Sequence, residues 1–162
     1  MLAVVVTAAL SLSSPAFSEG ANIPSKFTCD AGQTSPSPAL SWKDAPAGTK
    51  SFVMILHDPD VPMPGGFTHW VLFDIPASTM ALPEAFQPGS VGVSGNQGMR
   101  RQGYMGPCPP TGAHHYHFML SALDVESLGL QAGATKADVE KAMEGHVVGK
   151  TELVGVYQRQ PK

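Results

Sequence analysis

The sequence predicts a single β-dominated domain, and three observations carry that expectation. The chain has 162 residues, enough for one core of ordinary size. Its 17 glycines and 15 prolines, about a fifth of the total, suit a fold rich in turns. Its apolar runs are short, and only one stretch shows helical spacing. At 43% apolar the chain can bury a core, so it is not disordered. Only 14% of residues are charged, the net charge is −3 and no basic stripe is present, which argues against nucleic-acid binding.

Residues 1–18, MLAVVVTAALSLSSPAFS, are uncharged, apolar and then small and polar. They read as a secretory signal, with Ala16 and Ser18 before a cut near Glu19, leaving residues 19–162 as the domain. No Lys or Arg precedes Lys26, which weakens that reading. The alternative is an uncleaved anchor or a buried N-terminal strand, and the run is short for a membrane span. Export, periplasmic or secreted, bears on Cys29 and Cys108, the only two cysteines. In an oxidising compartment a disulfide is their default state. The bridge would close roughly 80 residues and contribute on the order of 3–4 kcal/mol. Without a CxxC spacing, the pair makes a poor metal site.

Ile23–Ser41 is interrupted by prolines and glycine and reads as loop, with a short strand starting at Leu40–Trp42. Asp44–Gly48 is a turn cluster. Lys50–His57 is a buried strand, and it ends in the proline-stiffened stretch Asp58–Gly66. Thr68–Ile75 is the next strand, with His69, Val71 and Phe73 on one face and Trp70, Leu72 and Asp74 on the other. Pro76–Gly98 is mostly loop, with a short strand over Ser90–Val93. Gly103–Gly112 is a second stiff loop, holding Pro107, Pro109 and Pro110. It feeds a strand over Tyr116–Asp124, and alternation puts His114 and Tyr116 on one face and His115 and His117 on the other. One helix follows, capped by Thr135 with Asp138 three residues on and stopped by Gly145. Thr151–Arg159 closes the chain as a strand.

Polar groups with chemistry collect at the strand ends. Asp58 and Asp60 leave one strand, His69 opens the next, and His114 and Tyr116 open a third. Burying such a set requires mutual hydrogen bonds or a ligand. Pairing each aspartate with a histidine would fix the imidazoles, and loop N–H groups near Gly106 would help them hold an anion. The bland alternative is that the aspartates only make turns and the histidines are exposed.

The motifs Asp58-Pro59-Asp60-Val61-Pro62 with His69-Trp70, and Gly103 to Pro110 followed by His114-His115-Tyr116 and Ala122-Leu123-Asp124, weigh against that alternative. With Phe27-Thr28-Cys29-Asp30, Ser35-Pro36 and Leu40-Ser41-Trp42, they resemble the phosphatidylethanolamine-binding protein (PEBP) family, in its bacterial Raf kinase inhibitor-like branch. The resemblance spans about Ile23 to Tyr157. It implies a β-sandwich with one or two short peripheral helices and a small pocket for anions, phosphate and the phosphoethanolamine head group among them. Carried over by position, the ligand-binding residues are Asp58, Asp60, His69, Gly106, Pro107, His114 and Tyr116. His114 rather than His115 takes the pocket position. The family also implies a cis bond before Pro62.

The sequence departs from the family pattern at Val61, Phe67 and Asn96–Arg101. Arg100 and Arg101 read as a solvated loop, with a positive rim to the pocket as the alternative, and His57, His117 and His146 receive no site role. Three functions compete. A binding module would take a small anionic or phosphorylated ligand and modulate a partner kinase or protease through its loops. A periplasmic hydrolase would need a nucleophile beside a base, and Thr68 and Ser94 lie in no nucleophile motif. A metal-dependent enzyme would recruit His114, His115 and His117, but alternation separates them. The binding module ranks first, non-enzymatic and without a cofactor.

Overall fold

The computed structural model describes residues 3, 8–32 and 34–161. Two antiparallel sheets face each other as a sandwich. The larger has five strands in the order β6-β4-β3-β7-β8: β3 (Ser51–Asp58), β4 (Phe67–Pro76), β6 (Val93–Ser94), β7 (His114–Leu123) and β8 (Val147–Tyr157). The smaller has three in the order β1-β2-β5: β1 (Ser11–Ser13), β2 (Leu40–Lys43) and β5 (Ala81–Leu82). Between them lies the main core, where Leu12, Leu40 and Trp42 of the small sheet meet Phe52, Met54, Leu56, Trp70, Leu72, Phe118, Leu120 and Leu153. Trp42 meets Phe52 edge to face at 5.5 Å.

The far side of the large sheet is also covered. Val53, Ile55, Val71 and Phe73 pack against Val139 and Met143 of the helix α1 (Lys136–Met143). This double cover explains why β3 is apolar without alternation. Thr135 caps α1 as expected: its side chain accepts from the Asp138 amide while the Asp138 carboxylate accepts from the Thr135 amide.

The structure corrects several boundaries. β7 starts at His114, two residues earlier than expected, and β8 at Val147, four earlier. The short strand placed at Ser90–Val93 falls at Val93–Ser94, and β5 was not anticipated. Two irregularities break the alternation of β4. At Asp74 the backbone turns to φ 52°, and its carboxylate accepts from Ser127 Oγ and the Leu128 amide at 2.9 and 2.8 Å. Ile75 therefore joins Leu72 in the main core. The other irregularity lies at His69.

The segment expected to be a leader takes part in the fold. Residues 1, 2 and 4–7 lie outside the described residues, but Ser11–Ser13 pair with Ser41–Lys43, and Leu10, Leu12 and Phe17 are buried. Phe17 packs on Phe118 with ring centres 5.7 Å apart. A cut near Glu19 would remove that strand and those three side chains from the core.

Candidate functional site

In an antiparallel sheet, the end of one strand lies beside the beginnings of its neighbours. β3 ends at Asp58, where β4 and β7 begin, and this brings the distant motif residues to one edge of the sandwich. Asp58, His69, His114 and Tyr116 are all buried there. Asp58 continues the inward face of Met54 and Leu56, and His114 and Tyr116 that of Phe118.

His114 Nδ1 donates to Asp58 Oδ2 at 2.7 Å, which leaves Nε2 as the free ring nitrogen. The other carboxylate oxygen of Asp58 accepts from the Asp60 amide at 2.8 Å and so fixes the turn that follows. The Tyr116 ring lies near both imidazoles, with centres 5.4 Å from His69 and 6.5 Å from His114. The Tyr116 hydroxyl is buried near the Asp58 carboxylate and the Cys108 backbone, but makes a well-formed hydrogen bond to neither. Burial first, and then the Asp58 charge, hold its pKa far above the ordinary phenol value, so it remains a donor.

His69 is held differently from the expectation. No aspartate pairs with it; its Nδ1 donates to the Met105 carbonyl at 2.9 Å, and the Met105 amide donates back to the His69 carbonyl at 2.9 Å. Burial lowers the His69 pKa below its ordinary 6.5, against the weaker pull of the Met105 carbonyl. The ring is thus neutral at pH 7 and its Nε2 is an acceptor. Strict alternation would turn His69 away from Trp70, yet Trp70 is in the main core and His69 lies against Tyr116. The register shift between Leu56 and His57 accounts for this, because a bulge lets consecutive residues face one way. Phe67 closes the outer side of His69, edge to face at 4.9 Å.

Asp60 also departs from the expectation. It sits at the exposed rim and accepts from both the amide and Nδ1 of His115, each at 2.7 Å. These bonds lower its pKa, the ring bond first. His115 was not foreseen here, since its parity opposes that of His114. Gly106 and Pro107 are buried in the loop beside Cys108, and that cysteine is bridged to Cys29. At Gly106 any Cβ would collide with Ser35 Oγ and come within 2.7 Å of the Phe27 carbonyl, so a side chain is excluded there. The bond before Pro62 is trans; the described residues contain no cis peptide.

The other candidates lie elsewhere. His114, His115 and His117 bind three different carboxylates, of Asp58, Asp60 and Glu152. Among the described residues no cluster of three or more His, Cys, Asp or Glu is placed to hold a metal ion. Thr68 Oγ1 is 3.1 Å from His57 Nδ1, and Ser94 Oγ is buried with no partner among the described residues. Arg100 and Arg101 are exposed. No helix among the described residues is long and apolar enough to cross a membrane.

A two-sheet sandwich with an Asp-His pair and a tyrosine buried at one end defines a class of small β proteins with a polar end site. The phosphatidylethanolamine-binding protein family profile matches residues 13–158, and the chain belongs to that family. Its relatives include a UPF0098 protein of Aquifex aeolicus, 48% identical over 152 residues, covering 90% of this chain and 86% of that one. A UPF0098 protein of Methanothermobacter thermautotrophicus is 44% identical, covering 93% and 99%. Among solved structures, a putative PEBP homolog from Chlamydia trachomatis superposes with a TM-score of 0.85 at 38% identity, covering 94% and 99%. Escherichia coli YbcL, described as a member of the mammalian PEBP family, does so at 0.86 and 28% identity, covering 94% and 100%.

Proposed function

We propose that this protein binds a small phosphorylated ligand, a phosphate monoester such as a phosphoethanolamine head group, at the Asp58–His114 end of the sandwich. One observation carries the reading: a buried Asp58–His114 pair stands beside a buried Tyr116 hydroxyl that has no partner among the described residues. An unpaired hydroxyl inside a protein costs free energy that a ligand oxygen would recover. Tyr116 would donate to that oxygen, and the free Nε2 of His114 would supply a second contact. His69 Nε2, an acceptor, would take the proton that a monoester retains below its second pKa of about 6. Binding is therefore expected to weaken as pH rises from 5 to 8, through the ligand's own deprotonation rather than loss of a charged His69. Modulation of a protein partner through the rim loops belongs to the same proposal. So does an exported, oxidising setting, which the Cys29–Cys108 bridge favours.

Calorimetric titration with phosphoethanolamine across that pH range tests the reading. His114→Ala is expected to lose affinity by roughly 10- to 100-fold, the scale of one strong hydrogen bond, and His115→Ala by less than about threefold. No heat of binding at millimolar ligand, or equal losses in the two variants, contradicts it.

A further inference from the structure

The loop that orients His69 meets the large sheet through the paired Met105–His69 hydrogen bonds and the Tyr104 ring, edge to face with Trp70 at 5.6 Å. From Tyr104 to Pro109 it has no helix or strand, and its prolines remove backbone donors. It is fastened to the segment Phe27–Ser35 in three ways. The Tyr104 hydroxyl donates to the Phe27 carbonyl at 2.7 Å, the Cys29 amide donates to the Pro107 carbonyl at 3.1 Å, and the Cys29–Cys108 disulfide joins the two covalently. Gly106 is pressed against Thr28 and Ser35, so this seating holds only while the two segments stay in register. Both cysteines are half-buried, and neither belongs to the apolar clusters.

We propose that the Cys29–Cys108 bridge is a redox-responsive clamp on the site: reduction by a protein dithiol frees the Tyr104–Pro109 loop and with it the Met105 carbonyl that orients His69. A thiolate of the dithiol attacks one sulfur of the bridge, the S–S bond breaks, and the other cysteine leaves as a thiolate and is protonated. The second thiol of the reductant then resolves the mixed disulfide. Two electrons and two protons pass to Cys29 and Cys108, and the reductant becomes a disulfide. The Met105–His69 hydrogen bonds, which lie on the freed side, lose their support, and the His69 ring loses its fixed tautomer. The strands carrying Asp58, His114 and Tyr116 keep their pairing. The binding consequence rests on the phosphate-site reading above; the loosening of the loop does not.

Amide hydrogen exchange on the full chain, oxidised and after dithiothreitol, tests the clamp directly. The Met105 amide is expected to exchange at least tenfold faster on reduction, while Leu56 and Phe118 in the central strands stay unchanged. The double variant Cys29→Ser/Cys108→Ser is expected to match the reduced protein without any reductant. An unchanged Met105 amide overturns the proposal, and so does acceleration throughout the central strands, which would make the bridge a staple of the whole fold. In parallel, phosphoethanolamine affinity is expected to fall at least tenfold on reduction, and equal affinity in both states overturns the clamp. If the oxidised protein binds no phosphate ester, the phosphate-site reading fails, and hydrogen exchange alone decides the clamp.

Discussion

Gly106 leaves no room for a side chain in the site loop. A Cβ there would meet Ser35 Oγ, the Phe27 carbonyl and Thr28 Cα, two of them backbone atoms that cannot swing aside. Gly106→Ala is expected to cost about 1–3 kcal/mol by overpacking. Urea denaturation checks this, and a variant as stable as the parent would contradict the close seating of the loop. Residue by residue, the legible part of the site was the part governed by constant parity. Asp58, His114 and Tyr116 extend inward faces that alternation fixes, so their meeting could be read from the chain. His69 could not be placed that way, because the bulge beside it reverses the side it faces. Its partner, the Met105 carbonyl, is a main-chain atom that every residue carries, and so no side-chain pattern could announce it. The Asp60–His115 pair was hidden for a related reason: it forms at the strand end, where the backbone amide and the ring of one residue turn together onto the same carboxylate.

Among the elements, β5 had no counterpart in the sequence reading, and β1 was legible only as the alternative of a buried N-terminal strand. An apolar run followed by small residues is the composition of a secretory leader, and it is also the composition of a short edge strand with a buried Leu10, Leu12 and Phe17. The Phe17–Phe118 contact and the Glu19 carboxylate, which accepts from the Val154 amide at 2.9 Å, tie this segment to the large sheet. A chain beginning at Glu19 is expected to lose on the order of 5 kcal/mol, from three large apolar side chains at roughly 1.5–3 kcal/mol each. Chemical denaturation of the two lengths measures the difference, and equal stability would show that the strand adds nothing. The helix, by contrast, was fully legible, since its capping box is local in sequence and its apolar spacing survives in Val139 and Met143.

For the molecule as a whole, acid is expected to act in two stages. His69 and His57 both have lowered pKa values, through burial first and, for His57, then the charge of Lys136. The unfolded chain therefore binds more protons than the folded one around the ordinary value of 6.5. Their contribution is complete above that value and is lost as pH falls below it. Asp60, Asp30 and Asp138 are lowered from 3.8 by hydrogen bonds from His115, Tyr157 and Thr135 respectively, so their contribution is present above 3.8 and fails as pH falls further. Urea midpoints between pH 8 and 3 are expected to stay level down to about pH 7, decline once through the histidine range and again below pH 4. A midpoint that rises between pH 7 and 5 would contradict the burial of a neutral His69.

The convergence of Asp58, His69, His114 and Tyr116 on one ligand is tested most directly by nitrogen-15 NMR of the six histidine rings during titration with phosphoethanolamine. The account predicts shifts concentrated in His69 and His114, with His117 and His146, held by Glu152 and Asp124 away from the site, unmoved. Rings of His69 and His114 that do not respond, or that respond no more than those of His117 and His146, would contradict it.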